Sequence, residues 1–341
     1  MAVQCISFGF VLPRTALETS WRLVLGRVYG LVAALVLLST LGVSFLSAWI
    51  EAGRLRRFSG LLRMNPNTLG LLCVIALGFA LWRLLNKTPW RWMHILIAGC
   101  ALFTALLTQS RSALFGCVGV VLSWGLLAFP RRPALACAAT LCLGVLVWST
   151  LTRLDFVVSG LRRGEGKFFA SRVVRWQAAL EDFREDPGFG KGYGVSGLAR
   201  EMELTGVGSV GAVIDGGGYP AVLGSVGLVG TMPFLLAILA LAAATWSTLS
   251  ARGHSVRRLY AGECASVAAG LLVNLWGEPW LLGPGNPVHL IFWVCIGGLI
   301  YSCSGRNLRS APVSAQSNAA SAEDRALARV RPTGPVCTRA L

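Results

Sequence analysis

Charge is scarce in this chain: 13% of its 341 residues are charged, whereas 55% are hydrophobic and the mean hydropathy is +0.64. That balance lies outside the range of soluble globular domains and makes the chain an integral membrane protein. Histidine is nearly absent, with only His94, His254 and His289, and no Cys-x-x-Cys pair occurs. Both shortages argue against a zinc site. Eight of the ten cysteines lie in apolar stretches, which reads as small core hydrophobes and not as a disulfide framework. The opening MAVQCISFGFVLPRTALE has no charge before its short apolar run and no small-residue cleavage site, so a cleaved signal peptide is not expected. A formal charge of +16 would suit nucleic acid, but the arginines are scattered between apolar spans and in a short tail. They read as topology signals, and no nucleic-acid partner is expected.

What the chain has in abundance is long apolar runs. About 20 residues of helix cross a bilayer, and eight stretches qualify, near 28–50, 65–85, 93–110, 112–129, 134–152, 227–249, 261–281 and 288–304. Lipid offers no partners for backbone polar groups, so such runs form helices or a closed barrel, and continuous apolarity without alternation excludes the barrel. The expected fold is all-α and polytopic, with about eight transmembrane helices and one long extracytoplasmic loop. The chain divides into a cytoplasmic segment 1–27, five spans over 28–152, a loop over 153–226 with a re-entrant end, three spans over 227–304 and a basic tail over 305–341 that lacks periodicity and reads as disordered. Short-loop Lys and Arg favour both termini in the cytoplasm, although Arg54, Arg56, Arg57 and Arg63 disagree. No charge occurs from Gly216 to Ala251, a run too long for one ordinary span, so Gly216–Val226 is read as an interfacial piece ahead of a span starting at Gly227 and kinked by Pro233.

The hydrophilic segment 153–215 carries nine bases and nine acids, with five of the bases between Arg162 and Arg175 and only Glu165 among them. This is a local anion-binding candidate. Within it, SRVVRWQAALEDFREDPGFGKGYG (Ser171–Gly194) predicts an amphipathic helix capped by Ser171 and stopped by Pro187 and Gly188. Val173, Trp176, Leu180 and Phe183 would form its apolar face, with Glu181, Asp182 and Glu185 opposite. After the stop, four glycines alternate with Phe189, Lys191 and Tyr193, a backbone able to approach a ligand closely.

Four pieces occur in order: RRFSGLLRMNPNTLG (56–70), TQSRSAL (108–114), the stretch 171–194, and GYPAVLGSVGLVG (218–230). Together with GNPVHLIFW near the end of the helical region, they resemble the O-antigen ligase and polymerase family. The resemblance implies an inverting, metal-independent glycosyltransferase without cofactor, placed in the bacterial cytoplasmic membrane. Such enzymes move a glycan from an undecaprenyl-diphosphate carrier to an acceptor saccharide on the outer face during cell-surface polysaccharide biosynthesis. The lipid bilayer, the lipid-linked glycan, the acceptor and polysaccharide-assembly proteins are then the expected partners.

Cleaving a sugar–diphosphate bond develops negative charge, which arginine stabilises with a planar fork that remains charged when partly desolvated. Arg111, between two apolar spans, is the first diphosphate candidate; its alternative is an interfacial anchor. Arg172, four residues before Trp176, matches the second arginine implied by the resemblance, or else is a solvated helix arginine. Arg175 and Lys191 are weaker candidates for the same role. Trp176 and Phe183 read as packing residues. The family's His-Asn pair is missing here: with Tyr219 and Gly227 on its pattern, Gly216 and Gly217 stand in its place. Asp215, just upstream, is the candidate replacement base, with a loop-capping role as the alternative. Glu278, one turn after Asn274, is a candidate to pair with Arg111 or Arg172, and Tyr219 is a secondary candidate. Only one apolar span precedes Arg56, fewer than in family members. A non-catalytic relative that binds lipid-linked glycan or supports an assembly complex therefore stays open, whereas a transporter would need inverted repeats not seen here.

Overall fold

The computed structural model describes residues 18–41, 50–51, 54–55, 60, 62, 64–108, 110–128, 138, 170–192, 218–250, 256–278 and 287–304. Among them the chain is helical: α1 Glu18–Leu41, α2 Pro66–Leu85, α3 Arg91–Leu107, α4 Arg111–Ala128, α5 Ala170–Glu185, α6 Gly218–Ser250, α7 Val256–Leu275 and α8 Pro287–Ser304. The one exception is a short antiparallel ladder of β1 (Ile50–Glu51) with β2 (Arg54–Leu55), pairing Ile50 with Leu55. Met1–Ser302 forms one compact unit and Cys303–Leu341 a second, of which only Cys303 and Ser304 are described. By length and composition four helical stretches can cross a membrane, Leu23–Leu41, Pro66–Leu85, Arg111–Ala128 and Gly218–Ser250, while Arg91–Leu107 and Val288–Cys303 are shorter apolar helices. This is an all-α polytopic membrane protein.

α2 is the central helix. Asn65 caps it by accepting from the Asn67 N–H at 2.9 Å, and Pro66 sits at the first helical position, where a missing N–H costs nothing. From Leu69 to Ala80 every side chain is buried, so α2 is walled on all sides by α1, α3, α4 and α7. With no hydrophobic force between helices in lipid, association depends on close packing over small residues. A side chain at Gly78 would meet Val267, one at Gly116 would lie 2.8 Å from Val74 and 3.1 Å from the Gly270 carbonyl, and one at Gly277 would lie 2.7 Å from Ser112. These glycines let α2, α4 and α7 touch nearly backbone to backbone.

Polar groups gather at both ends of the α2–α7 pair. At one end Arg83 Nε donates to Glu263 Oε1 at 2.8 Å, the guanidinium carbon stands 4.2 Å from the Tyr29 ring centre, and Tyr29 Oη is 2.8 Å from His94 Nδ1. The Trp82 indole N–H donates to Ser266 nearby. At the other end Asn67 Nδ2 donates to Glu278 Oε1 at 2.8 Å. Two helices running antiparallel are thus pinned at each terminus.

One boundary differs from the sequence reading, and one agrees with it. α1 lies at Glu18–Leu41, shifted toward the N-terminus relative to the 28–50 stretch, with the short ladder at 50–51 and 54–55; Gly42, Ser44 and Ser47 dilute the second half of that run, while Leu23–Leu41 carries one charge, Arg27, in an otherwise largely apolar run. α6 is a 33-residue element whose non-helical residue is Gly227, φ 57° and ψ −162°, the position at which the sequence reading starts the span. The 134–152 span falls outside the described residues, apart from residue 138.

The break at Gly227 frees backbone groups that apolar surroundings cannot satisfy. The turn after α5 satisfies them: the N–H groups of Lys191 and Gly192 donate to the Gly224 and Ser225 carbonyls at 2.9 and 3.0 Å, while the Leu228 and Val229 N–H groups donate to Pro187 and Gly188 at 2.9 and 3.0 Å. Asp186 stiffens that turn by accepting from the Phe189 N–H at 3.1 Å.

Gly227→Ala combines a left-handed φ with a Cβ driven onto the Gly188 carbonyl. We expect it to lower stability by at least ~1–2 kcal/mol, the strain alone, read as a lower Tm in detergent, while Gly99→Ala, whose Cβ would meet nothing within 4 Å, leaves Tm unchanged or raised. Arg83→Ala strands the fully buried Glu263 carboxylate and is expected to cost about 3–5 kcal/mol. Replacing both partners, Arg83→Met with Glu263→Leu, should recover most of that loss in the same assay; an Arg83→Ala protein as stable as wild type would contradict the pin.

Candidate functional site

The site is built where four helix ends meet. α4 begins at Arg111 because Ser110 starts its hydrogen-bond ladder, its carbonyl accepting from Leu114 N–H at 3.0 Å. Thr108, Ser110 and Ser112 are all buried there, with Ser110 Oγ 3.2 Å from Ser112 Oγ. Arg111 is half-buried between them. A helix start carries outward N–H groups and the positive end of the helix dipole, so a guanidinium at this position adds to a pole that already favours anions.

α7 ends against this point. Gly277 abuts Ser112, and the Gly277 and Glu278 N–H groups donate to the Asn274 carbonyl at 2.9 and 3.2 Å, carrying a helical turn past Leu275. That turn presents Glu278 beside Asn67 of α2. Gly70, one turn into α2, would place a Cβ 3.4 Å from Ser110, so α2, α4 and α7 share one corner.

α5 and the start of α6 close the corner through aromatic rings. The Trp276 ring centre stands 5.8 Å from Trp176 in an edge-on arrangement and 6.0 Å from Tyr219. Tyr219 Oη donates to the Leu272 carbonyl at 2.8 Å. Gly218 packs on Leu275, and Gly224 lies against the Ala179 carbonyl of α5. α5 therefore rests on the end of α7 and on the first half of α6.

The sequence candidates that fall on described residues can be placed in the fold. Arg111, Glu278 and Tyr219 belong to the corner. Arg172 and Arg175 lie in α5, four and one residues before Trp176. Lys191 pairs with Glu185 across the turn that grips Gly227, so this loop is held by α6 backbone as well as by its own ion pair. Asp215 lies outside the described residues. Glu278 takes a hydrogen bond from Asn67 at 2.8 Å. Trp176 packs, as expected.

Two features escaped the sequence. The buried face of α5 is turned from the expected one: Ala179 and Asp182 are 2% and 6% exposed, while Leu180 is exposed. The cause is close approach, because Gly224, without a Cβ, lets the α5 backbone come in at Ala179, and Asp182 follows one turn later on that face. Asn67 was part of the first motif without a role; the signal was a second asparagine inside the first turn of an apolar span, where Asn65 already supplies the cap. His289 accepts at Nε2 from the Trp293 indole at 2.7 Å.

Comparison with known proteins agrees with this architecture. Residues 95–212 match the family described as O-antigen ligase, a segment that runs from α3 through Arg111 and α5 to the approach of α6. No curated protein and no solved structure matches the chain. The resemblance drawn from the sequence motifs is thus matched independently over residues 95–212, which include Arg111 and α5.

Proposed function

We propose that the chain is a membrane glycosyltransferase of the ligase or polymerase type that takes glycan from an undecaprenyl-diphosphate donor at the outer face of the bacterial cytoplasmic membrane. The observation that carries this reading is a convergence of the family-matched segment with the end of α7. Arg111 opens α4 where α7 ends at Glu278, and Trp176 of α5 lies against Trp276 of that same end. A site for a lipid diphosphate needs positive charge at the membrane surface, next to apolar walls for the prenyl chain. The α4 start supplies the charge; the exposed apolar side chains of α6, among them Leu228, Met232 and Leu236, supply a lipid-facing wall.

In the proposed reaction an acceptor hydroxyl oxygen attacks the anomeric carbon from the side opposite the diphosphate. The carbon–oxygen bond to the diphosphate breaks, and its electron pair stays on the departing lipid diphosphate. The hydroxyl proton passes to a base. Arg111 and Arg172 balance the charge that grows on the leaving oxygens, with Arg175 and Lys191 as outer contributors. Asp215 takes the base role in this scheme. Glu278, held by Asn67, sits at the edge of the basic corner and would orient an arginine or a sugar hydroxyl.

Removing one charge-stabilising donor typically costs 100-fold or more in rate. Arg111→Ala and Arg172→Ala are each expected to lower glycan transfer by about that factor in membranes with matched protein levels, with Arg111→Lys retaining part of the activity because it keeps charge but not the fork. Wild-type transfer by both alanine variants would refute the arginine roles. Asp215→Ala is expected to reduce turnover by at least ~100-fold while leaving binding of the lipid-linked donor intact; unchanged turnover would remove Asp215 from the scheme.

Gly216 and Gly217, standing where the family pattern has His-Asn, favour one second reading: a relative that binds lipid-linked glycan without turning it over. Release of undecaprenyl diphosphate by the purified chain excludes it.

A further inference from the structure

Asn274 lies in the last turn of α7, one turn before Glu278, at the seam between α4 and α7. Its Cβ is 3.3 Å from where a side chain on Gly116 would begin, and Val74 of α2 lies on the same spot. The residue is 0% exposed. Neither its amide nitrogen nor its amide oxygen has a hydrogen-bond partner among the described residues. Its backbone carbonyl, by contrast, is fully used by Gly277 and Glu278.

An unsatisfied amide in a water-excluded helix seam is costly, and apolar side chains would fill the seam without that cost. The neighbours are small: Ser112, Gly116, Gly270 and Gly277 line the approach from the α4 start. Gly277, whose N–H bonds the Asn274 carbonyl, lies against Ser112, so the turn of α7 that holds Asn274 closes on the first turn of α4. An amide offers two N–H donors, and the start of α4 collects anions.

We infer that Asn274 is a further binding residue for the diphosphate head of the lipid-linked substrate, donating from α7 to an anion bound at the α4 N-terminus beside Arg111. This rests on the proposed function and adds a neutral donor on a second helix. The bound head would then bridge α4 and α7, and its geometry would be read from two directions. Charge alone recognises any phosphate; a fixed neutral donor on the opposite helix discriminates by position.

The test measures undecaprenyl diphosphate binding by the detergent-purified full-length protein, for wild type, Arg111→Ala, Asn274→Leu and Asn274→Ala, together with Tm. Leucine replaces the amide by an apolar group of similar branching, and alanine removes it without crowding the seam. At least one Asn274 variant should match or exceed the wild-type Tm, because an unpaired polar group has gone, and both should bind about tenfold more weakly. Wild-type affinity in either folded Asn274 variant overturns the inference, as does a lowered Tm or failure to fold in both, which would assign the amide a structural partner. If Arg111→Ala weakens binding and the Asn274 variants do not, only this inference falls. If the wild-type protein does not bind the lipid diphosphate, the functional reading falls with it.

Discussion

Four backbone hydrogen bonds between the turn 187–192 and the break in α6 are the interaction on which the candidate site depends. A helix interrupted at Gly227 within an apolar run exposes donors and acceptors where the surroundings can satisfy none of them. The turn after α5 supplies the missing partners in both directions, donating through Lys191 and Gly192 and accepting at Pro187 and Gly188. The break and the turn are therefore one unit, and neither is stable alone. Because α5 ends in that turn, the same bonds fix where Trp176 meets Trp276, and thereby where the α5 arginines stand along the chain.

The scaffold beneath follows a different physics. α2, α4 and α7 approach through glycine and small residues, the packing that lipid favours, and polar contacts gather in two clusters toward opposite ends of that trio. One end holds Arg83, Glu263, Tyr29 and His94, a closed set of mutual contacts that reads as an assembly pin. The other end holds Asn67, Glu278, Ser110, Ser112 and Arg111, and it is the end reached by α5 and by the start of α6. The asymmetry separates scaffold from site: the pin is covered by helices, whereas the basic corner is met by the longest non-spanning part of the chain.

Much of this was legible from residue order. Continuous apolar runs announce helices, and a chargeless run from Gly216 to Ala251 is too long to be one span, so an interruption was expected and Gly227 was its position. The helix Ala170–Glu185 was readable from periodicity and from its proline–glycine stop, which are local properties, although Ser171, expected to cap it, lies within its first turn. What failed to show were features created by contact between distant segments. The α5 face was misread because side-chain hydrophobicity favours Leu180 inward, while close backbone approach at Gly224 selects Ala179 and carries Asp182 in with it. Glu263 gave a signal that passed unnoticed, a carboxylate within an apolar span, and its partner Arg83 lies far away in the chain. Asn274 was visible only as a neighbour of Glu278; its burial without a partner is a property of the seam.

The account stands or falls on whether the α5 turn is locked to the broken helix. Hydrogen exchange of the full-length protein in detergent or nanodiscs reads this directly, since Lys191 and Gly192 lie outside any helix and would exchange rapidly if their amides faced solvent. The account predicts slow exchange at Lys191, Gly192, Leu228 and Val229, lost together in Gly227→Ala. Exchange at Lys191 and Gly192 as fast as in an unstructured peptide, with Leu228 and Val229 protected, would contradict it.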